Sequence, residues 1–328
     1  MSRNKIAVII PYFGKLPDNY DYWEKTALKN DSVDFILFTD NARDSKKNIR
    51  IIKMSFRQYT DALREKISDK IVCPKPYKLC DFKPAIGVLW KELLVDYDFW
   101  GFCDLDLLFG NIRKFITDDI LDKNDKIFIT GHFSLYRNTK QMNELFMDKG
   151  EYPEYNYEEA FTVKEACYFD EFRGMNLKCI RNGINVYHNK QLFLDINPSK
   201  FEFVNRKGTK VFCVWKDGKL STIDANGDEE EWLYIHFQKR NICCGSIDEN
   251  KNSFIMIPNF IRPELQNECY SLAGSGRIKN YIYSIKFYSN RVIKNLKDYS
   301  IIGMIKRRKR QKDVEIYKKK LCAIYSKS

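Results

Sequence analysis

The chain has 328 residues, 44% hydrophobic, 30% charged and 15% aromatic, with a formal net charge of +12. That balance is ordinary for a globular protein and excludes a disordered chain, a collagen-like repeat and a disulfide miniprotein, while the length admits one large α/β domain with appendages or two smaller domains. The charge is uneven: residues 277–328 hold 16 Lys and Arg against three acidic residues, a local +13 that leaves residues 1–276 at −1. The basic character therefore belongs to a tail.

In chain order, Lys5 to Ile10, Asp34 to Thr39, Ile49 to Met54 and Phe99 to Cys103 are short apolar runs of the kind that form buried parallel strands. Between them, Ser55 to Lys70 and Lys83 to Tyr97 have helical spacing. Strands separated by helices predict a parallel α/β sheet. Beyond Asp106 the pattern becomes mixed, with a strand predicted over Lys126 to Tyr136, a short helix over Gln141 to Asp148 and a strand over Lys210 to Trp215. Ile278, Ile282, Ile285, Val292, Leu296 and Tyr299 recur at helical intervals before the run KRRKRQK at 306–312, which predicts a basic amphipathic appendage. Leu272 to Gly276 is the predicted joint. The expected organisation is thus residues 1–276 as the main domain, with halves at about 1–125 and 126–276, and residues 277–328 as the tail.

Ten cysteines are scattered with no CxxC pair, which fits a reducing compartment. The N-terminal apolar run IAVII ends after five residues at Pro11 and reads as a strand instead of a signal peptide. No stretch reaches the roughly 18 apolar residues of a membrane span, so a soluble or peripheral protein in the cytoplasm is expected.

The strongest chemical signal is DFWGFCDLDLLFG at residues 98–110. An apolar strand delivers Asp104 and Asp106 at its C-terminal end, where open α/β sheets bind ligands. Carboxylates two residues apart on an extended chain point the same way, so one divalent cation can join them to a diphosphate.

Together with KIAVIIPYFG, FILFTDN, PYKLCDFKPAIG, ITGHFSLYRN and YIHFQKRN, this motif resembles bacterial GT-A-type glycosyltransferases of cell-surface polysaccharide clusters, closest to a poorly characterised group with a D-x-D metal motif; the likeness spans about residues 5–242. The resemblance implies a GT-A-like, mostly parallel sheet flanked by helices. It also implies a nucleotide-sugar donor, most simply a UDP-sugar, a divalent Mn²⁺ or Mg²⁺, and a hydroxyl acceptor on a growing or lipid-linked glycan.

Carried onto these residues, the resemblance assigns Asp106 to the metal, has Asp104 share the metal or the ribose, and makes His236 the third ligand, or else a structural histidine. Pro11, Tyr12 and Phe13 would flank the nucleotide base, or simply pack in the core. Asp40 would hold the base or ribose, or form a turn. Lys78, Asp81 and Lys83 would serve the ribose, sugar and phosphate, unless they form a polar helix entry. Lys239 and Arg240 would face the departing diphosphate. Asp170 and Glu171 are the candidates for a base that deprotonates the acceptor, with a surface acidic pair as the alternative. His132 and His188 are read as satisfying local hydrogen bonds.

Two other classes compete. A phosphatase of the HAD type would use Asp104 as nucleophile, and a non-catalytic protein would bind a polyanion or membrane through its tail. The neutral body argues against nucleic acid, whereas the tail predicts docking on the anionic inner face of a cell membrane.

Overall fold

The computed structural model describes residues 4–238, 240, 242–247, 251–263, 284–286, 288–290 and 301–325. Lys239, the joint at Leu272 to Gly276 and most of the apolar series from Ile278 to Tyr299 lie outside the described residues.

The strands of the first half are β1 (Ile6–Pro11), β2 (Val33–Thr39), β3 (Ile49–Lys53), β4 (Phe99–Cys103), β5 (Leu107–Phe109), β6 (Lys126–Ile127), β7 (Phe133–Arg137) and β8 (Val186–Tyr187). Those that follow are β9 (Phe193–Asp195), β10 (Val211–Lys216), β11 (Lys219–Asp224), β12 (Glu229–Glu231), β13 (Tyr234–His236), β14 (Cys243–Cys244), β15 (Ser253–Ile257) and β16 (Phe260–Pro263). They form a seven-stranded sheet ordered β3-β2-β1-β4-β7-β6-β8, a six-stranded sheet ordered β12-β11-β10-β15-β16-β14 and a three-stranded sheet ordered β5-β13-β9.

In the large sheet β3, β2, β1 and β4 run parallel, as their apolar runs predict, and β7 enters antiparallel beside β4. Both faces of β1 are covered, with Ala7 and Ile9 in one apolar cluster and Ile6, Val8 and Ile10 in the other. Burial on both faces is what replaces alternation by a continuous apolar run in such strands. Because β1 leads to β2 on one side and lies against β4 on the other, a crevice opens beyond the carboxyl ends of β1 and β4.

Three expectations need correction. The stretch Lys126 to Tyr136 is a hairpin, β6 and β7 paired antiparallel, because Phe128 adopts a left-handed φ of 64° and turns the chain at 128–132. Lys83 to Tyr97 is not one helix: a 3₁₀ segment Pro76–Ala85 leads into the short helix Ile86–Leu89 and a further 3₁₀ turn Lys91–Leu93. Pro84 lacks an N–H for a regular ladder there, and Gly87 is pressed so closely that a Cβ would lie 2.7 Å from Trp100 Nε1. The expected division near residue 125 does not follow the sheets, since β6, β7 and β8 join the large sheet and β10–β12 and β14–β16 make the second one.

The helix Ile301–Tyr325 is present at the basic tail, but it packs on the body: Val314 is 3% exposed and lies against Leu177, with Ile180 and Tyr317 beside them. No described helix is long and apolar enough to cross a membrane.

Candidate functional site

A cavity of about 690 Å³ occupies the crevice at the carboxyl ends of β1 and β4. Its walls include Pro11, Tyr12, Phe13, Lys83, Asp104, Asp106, Gly131, His132, Asp170, Glu171, His236 and Arg240. That volume suits a nucleotide-sized ligand.

The small sheet assembles the acidic side of this cavity. After β4 the chain passes through Asp104, Leu105 and Asp106 and returns as β5. Leu105 is 2% exposed, its carbonyl accepts from Asn19 Nδ2 at 2.7 Å, and Asp104 N donates to His132 O at 2.9 Å. With the middle residue locked inward, both carboxylates are left to the cavity. Strand β13 then lies between β5 and β9, with His236 opposite Leu107 on one side and Asp195 on the other. Phe237 N donates to Asp106 O at 2.9 Å and fixes the register beside the acidic pair.

The register brings His236 Nδ1 to 2.7 Å from Asp195 Oδ1 and His236 Nε2 to 3.6 Å from Asp106 Oδ1. Burial pulls the imidazole toward its neutral form, but Asp106 and Asp195 outweigh it and push its pKa up to about 9. An orienting carboxylate on one ring nitrogen, with the other aimed at two acidic oxygens, is the usual support of a histidine metal ligand.

Donor atoms of Asp104, Asp106 and His236 all lie within 4.8 Å of one another, and so do those of His132, Asp195 and His236. The first set fits a divalent ion better. The His132 and His236 rings are stacked at 4.1 Å with 25° between planes, so their in-plane lone pairs run side by side instead of converging, and His132 Nε2 already meets Tyr234 OH at 2.9 Å. Two carboxylate oxygens and one imidazole nitrogen suit Mn²⁺, and Mg²⁺ less well.

Opposite the carboxylates stands Lys83. Its ammonium donates to Asp104 Oδ1 at 2.6 Å and Gly131 O at 2.6 Å, and lies 4.0 Å from Asp170 Oδ2. Burial pushes the Lys83 pKa down, but Asp104 and Asp170 reverse this and raise it. Asp170 is 3% exposed, and its Oδ1 has no hydrogen-bond partner. Burial drives its carboxyl well above the usual carboxylate range, against the pull of Lys83. A buried carboxyl with a spare oxygen on a cavity wall is suited to handling a proton. The adjoining Glu171 also lines the cavity, and its Oε1 accepts from Gly131 N at 2.9 Å. Glycine is required at 131, where a Cβ would lie 2.6 Å from Glu171 Oε1 and 2.8 Å from Asp170 Oδ2.

Several sequence-predicted residues fall away from open space. Lys78 and Asp81 are both fully buried, paired at 2.7 Å. Lys78 also donates to Ala160 O and Glu165 O, and Asp81 accepts from the backbone N–H groups of Cys167 and Phe169. A charge without water needs such partners, and here they tie down the chain leading to Asp170. Asp40 holds Gly14 N at 2.9 Å as part of a turn and is not on the cavity wall. Arg240 reaches the wall, but it is 6% exposed, and its guanidinium donates to Phe201 O and packs 5.0 Å from the centre of the Phe203 ring. Those contacts fix Arg240 to the body at the cavity wall. At the end of β1, Phe13 is 6% exposed and packs on Phe56 and Tyr59, which leaves Tyr12 as the more open ring.

Asp195 and Gly131 are the site residues that sequence reasoning missed. Asp195 had a usable signal: like Asp104, it ends a short apolar run, here Phe193–Asp195.

No curated protein sequence matches the chain. Among solved structures, it is similar to the apo-form glycosyltransferase GlyE of Streptococcus pneumoniae TIGR4, with 12% identity over 58% of this chain and 46% of that one, at a TM-score of 0.31. It is also similar to the galactosyltransferase LgtC in complex with donor and acceptor sugar analogues, with 10% identity over 58% of this chain and 75% of that one, at a TM-score of 0.30. The chain thus spans less than half of GlyE, and likeness at this level leaves function to the site's own chemistry. A sequence family does match most of the chain: residues 8–264 fit the family of unknown function DUF6625, and the protein belongs to it.

Proposed function

We propose that the protein is a metal-dependent glycosyltransferase of GT-A-like architecture, moving a hexosyl-type sugar from a nucleotide diphosphate donor, a UDP-sugar, to a glycan hydroxyl. The observation that carries this reading is the convergence of Asp104, Asp106 and His236 in a nucleotide-sized cavity at the β1/β4 switch point. The resemblance to enzymes of bacterial cell-surface polysaccharide assembly extends the proposal to a growing, lipid-linked acceptor and to a place on the cytoplasmic face of the membrane.

Asp104, Asp106 and His236 would hold Mn²⁺ or Mg²⁺, and such an ion offsets the charge that a diphosphate gains as the glycosidic bond breaks. The chain's own residues do the rest. Tyr12 flanks the base, Lys83 adds a fixed positive charge on the diphosphate side, and Asp195 keeps the His236 ring in line. Asp170, in its ionised form, takes the proton of the acceptor hydroxyl as that oxygen bonds to the sugar carbon and the sugar–phosphate bond breaks with release of the nucleoside diphosphate, while Gly131 leaves room for the Asp170 and Glu171 carboxylates.

The reading is tested with a panel of nucleotide sugars, following nucleotide release with and without Mn²⁺. One donor should be turned over, and Asp106→Asn should lower that turnover about a thousandfold, as expected when several kcal/mol of metal-derived stabilisation are lost. Full activity in a folded Asp106→Asn protein would overturn the metal assignment.

A further inference from the structure

The docked C-terminal helix Ile301–Tyr325 has an inward face whose contacts reach the edge of the site. The Arg310 guanidinium donates to the carbonyls of Pro153 and Glu154, pairs with Glu159 and lies 3.4 Å from the centre of the Tyr155 ring. Asp313 accepts from Tyr152 OH at 2.6 Å. Farther along the body, Arg173 donates to Gln311 at 3.3 Å, and the Lys318 ammonium stands 4.3 Å from the centre of the Phe172 ring. Phe172 and Arg173 follow Asp170 and Glu171 directly, so the helix is braced against the segment that forms one cavity wall.

With that face fixed, the opposite one is defined. Ile305 and Ile316 are 63% and 56% exposed. Eleven residues at ~100° each bring them to within about 20° of one line along the helix, roughly 16 Å apart. Lys309, Lys312, Lys319 and Lys320 are all exposed and fall within about 60° of that line. Two isoleucines therefore run down the middle of a stripe whose flanks are cationic.

We propose that this outward face docks the protein on an anionic lipid bilayer. A helix lying in the headgroup layer needs an apolar centre that reaches the acyl boundary and cations at its margins for the lipid phosphates, which is the order found here. A nucleic acid would instead favour cations along the middle and aromatic rings for stacking, and the described residues of this face offer isoleucine in the middle and no aromatic ring. Because the inner face braces Phe172 and Arg173, the bilayer would lie on the Asp170 side of the cavity. Only this last step rests on the glycosyl-transfer reading: it makes the acceptor a glycan carried by a membrane lipid and presented from that side.

The test is co-sedimentation of the full chain with vesicles of phosphatidylcholine alone or mixed with phosphatidylglycerol. Binding to the mixed vesicles at low salt, its loss at high salt, and little binding to phosphatidylcholine alone are expected. Lys309→Glu with Lys312→Glu and Lys319→Glu should weaken binding about a hundredfold or more. Ile305→Ser with Ile316→Ser should weaken it about tenfold at unchanged net charge. Both variants should keep the melting temperature of the parent, which separates lost docking from lost fold. Asp106→Asn should bind vesicles like the parent, so failure of the catalytic reading and failure of docking are told apart. Undiminished vesicle binding by either variant would overturn the proposal. So would a single-stranded oligonucleotide bound as tightly as the mixed vesicles, since that identifies a general polyanion site.

Discussion

Lys78 and Lys83 stand five residues apart in the same 3₁₀ segment, Pro76–Ala85, and both end in ion pairs, yet they serve different parts of the molecule. In a 3₁₀ helix side chains three apart eclipse, so Lys78 stands over Asp81 and the two close on each other, while Lys83 emerges on another side. The first pair is sealed and holds the backbone of residues 160–169; the second lines the cavity and shares its lysine between Asp104 and Asp170. A lysine beside an aspartate in sequence therefore says little about ligand contact until the helical pitch is known.

The contrast can be broken at its sealed end first. Lys78→Met leaves Asp81 buried without its cation, and urea unfolding should show a loss of about 3–5 kcal/mol. The folded fraction should still bind nucleotide, because neither residue faces the cavity. A variant as stable as the parent would erase the distinction. At the open end, Lys83→Met should leave stability much less changed while turnover falls about a hundredfold, close to 2.7 kcal/mol in transition-state terms. Comparable unfolding losses in the two variants would show that both pairs are simply structural.

The loop that Lys83 reaches at Gly131 offers a finer probe. Gly131→Ala puts a methyl against Asp170 and Glu171, and calorimetry should show a loss of about 1–3 kcal/mol together with weakened turnover. The smallest effect concerns a third buried lysine. Lys126 donates to Phe128 O at 2.5 Å and lies 4.8 Å from the centre of the Tyr136 ring, and burial lowers its pKa from 10.5 to about 8. Below pH 8 the ammonium is charged in folded and unfolded chains alike, so its burial cost is fully present. Between pH 8 and 10.5 the folded chain releases the proton first, and that cost declines. The stability of the parent relative to Lys126→Met should therefore rise by about 1 kcal/mol or more across this window, as read from urea midpoints. A flat difference would mean that Lys126 keeps its charge.

Much of the sheet was legible in the sequence because β1, β2 and β4 are buried on both faces and carry unbroken apolar runs. The same logic located Asp104 and Asp106, since a carboxylate directly after such a run has only the sheet's edge to occupy. His236 was legible through its place after an apolar strand, but its contact with Asp195 was not. Their contact comes from the register of β13 against β9, which separates 41 residues in the chain, and no local period encodes a register. The hairpin at 126–137 was misread for a related reason: Phe128 in a left-handed conformation is an exception that tertiary packing supports, and its residue type favours an extended strand. The inward face of the C-terminal helix likewise became visible only when Val314 and Arg310 found partners on the body.

The three-stranded sheet has a consequence for how the protein acquires its chemistry. Its strands come from residues 107–109, 193–195 and 234–236, so the two acidic residues at 104 and 106 meet their histidine only after some 130 intervening residues have found their places. Contacts of such long range close late and demand most of the chain. During synthesis the three-residue cluster of Asp104, Asp106 and His236 would therefore stay incomplete until β13 has been made and threaded between β5 and β9. A nascent or truncated chain ending before residue 236 would carry the acidic pair but not the assembled cluster.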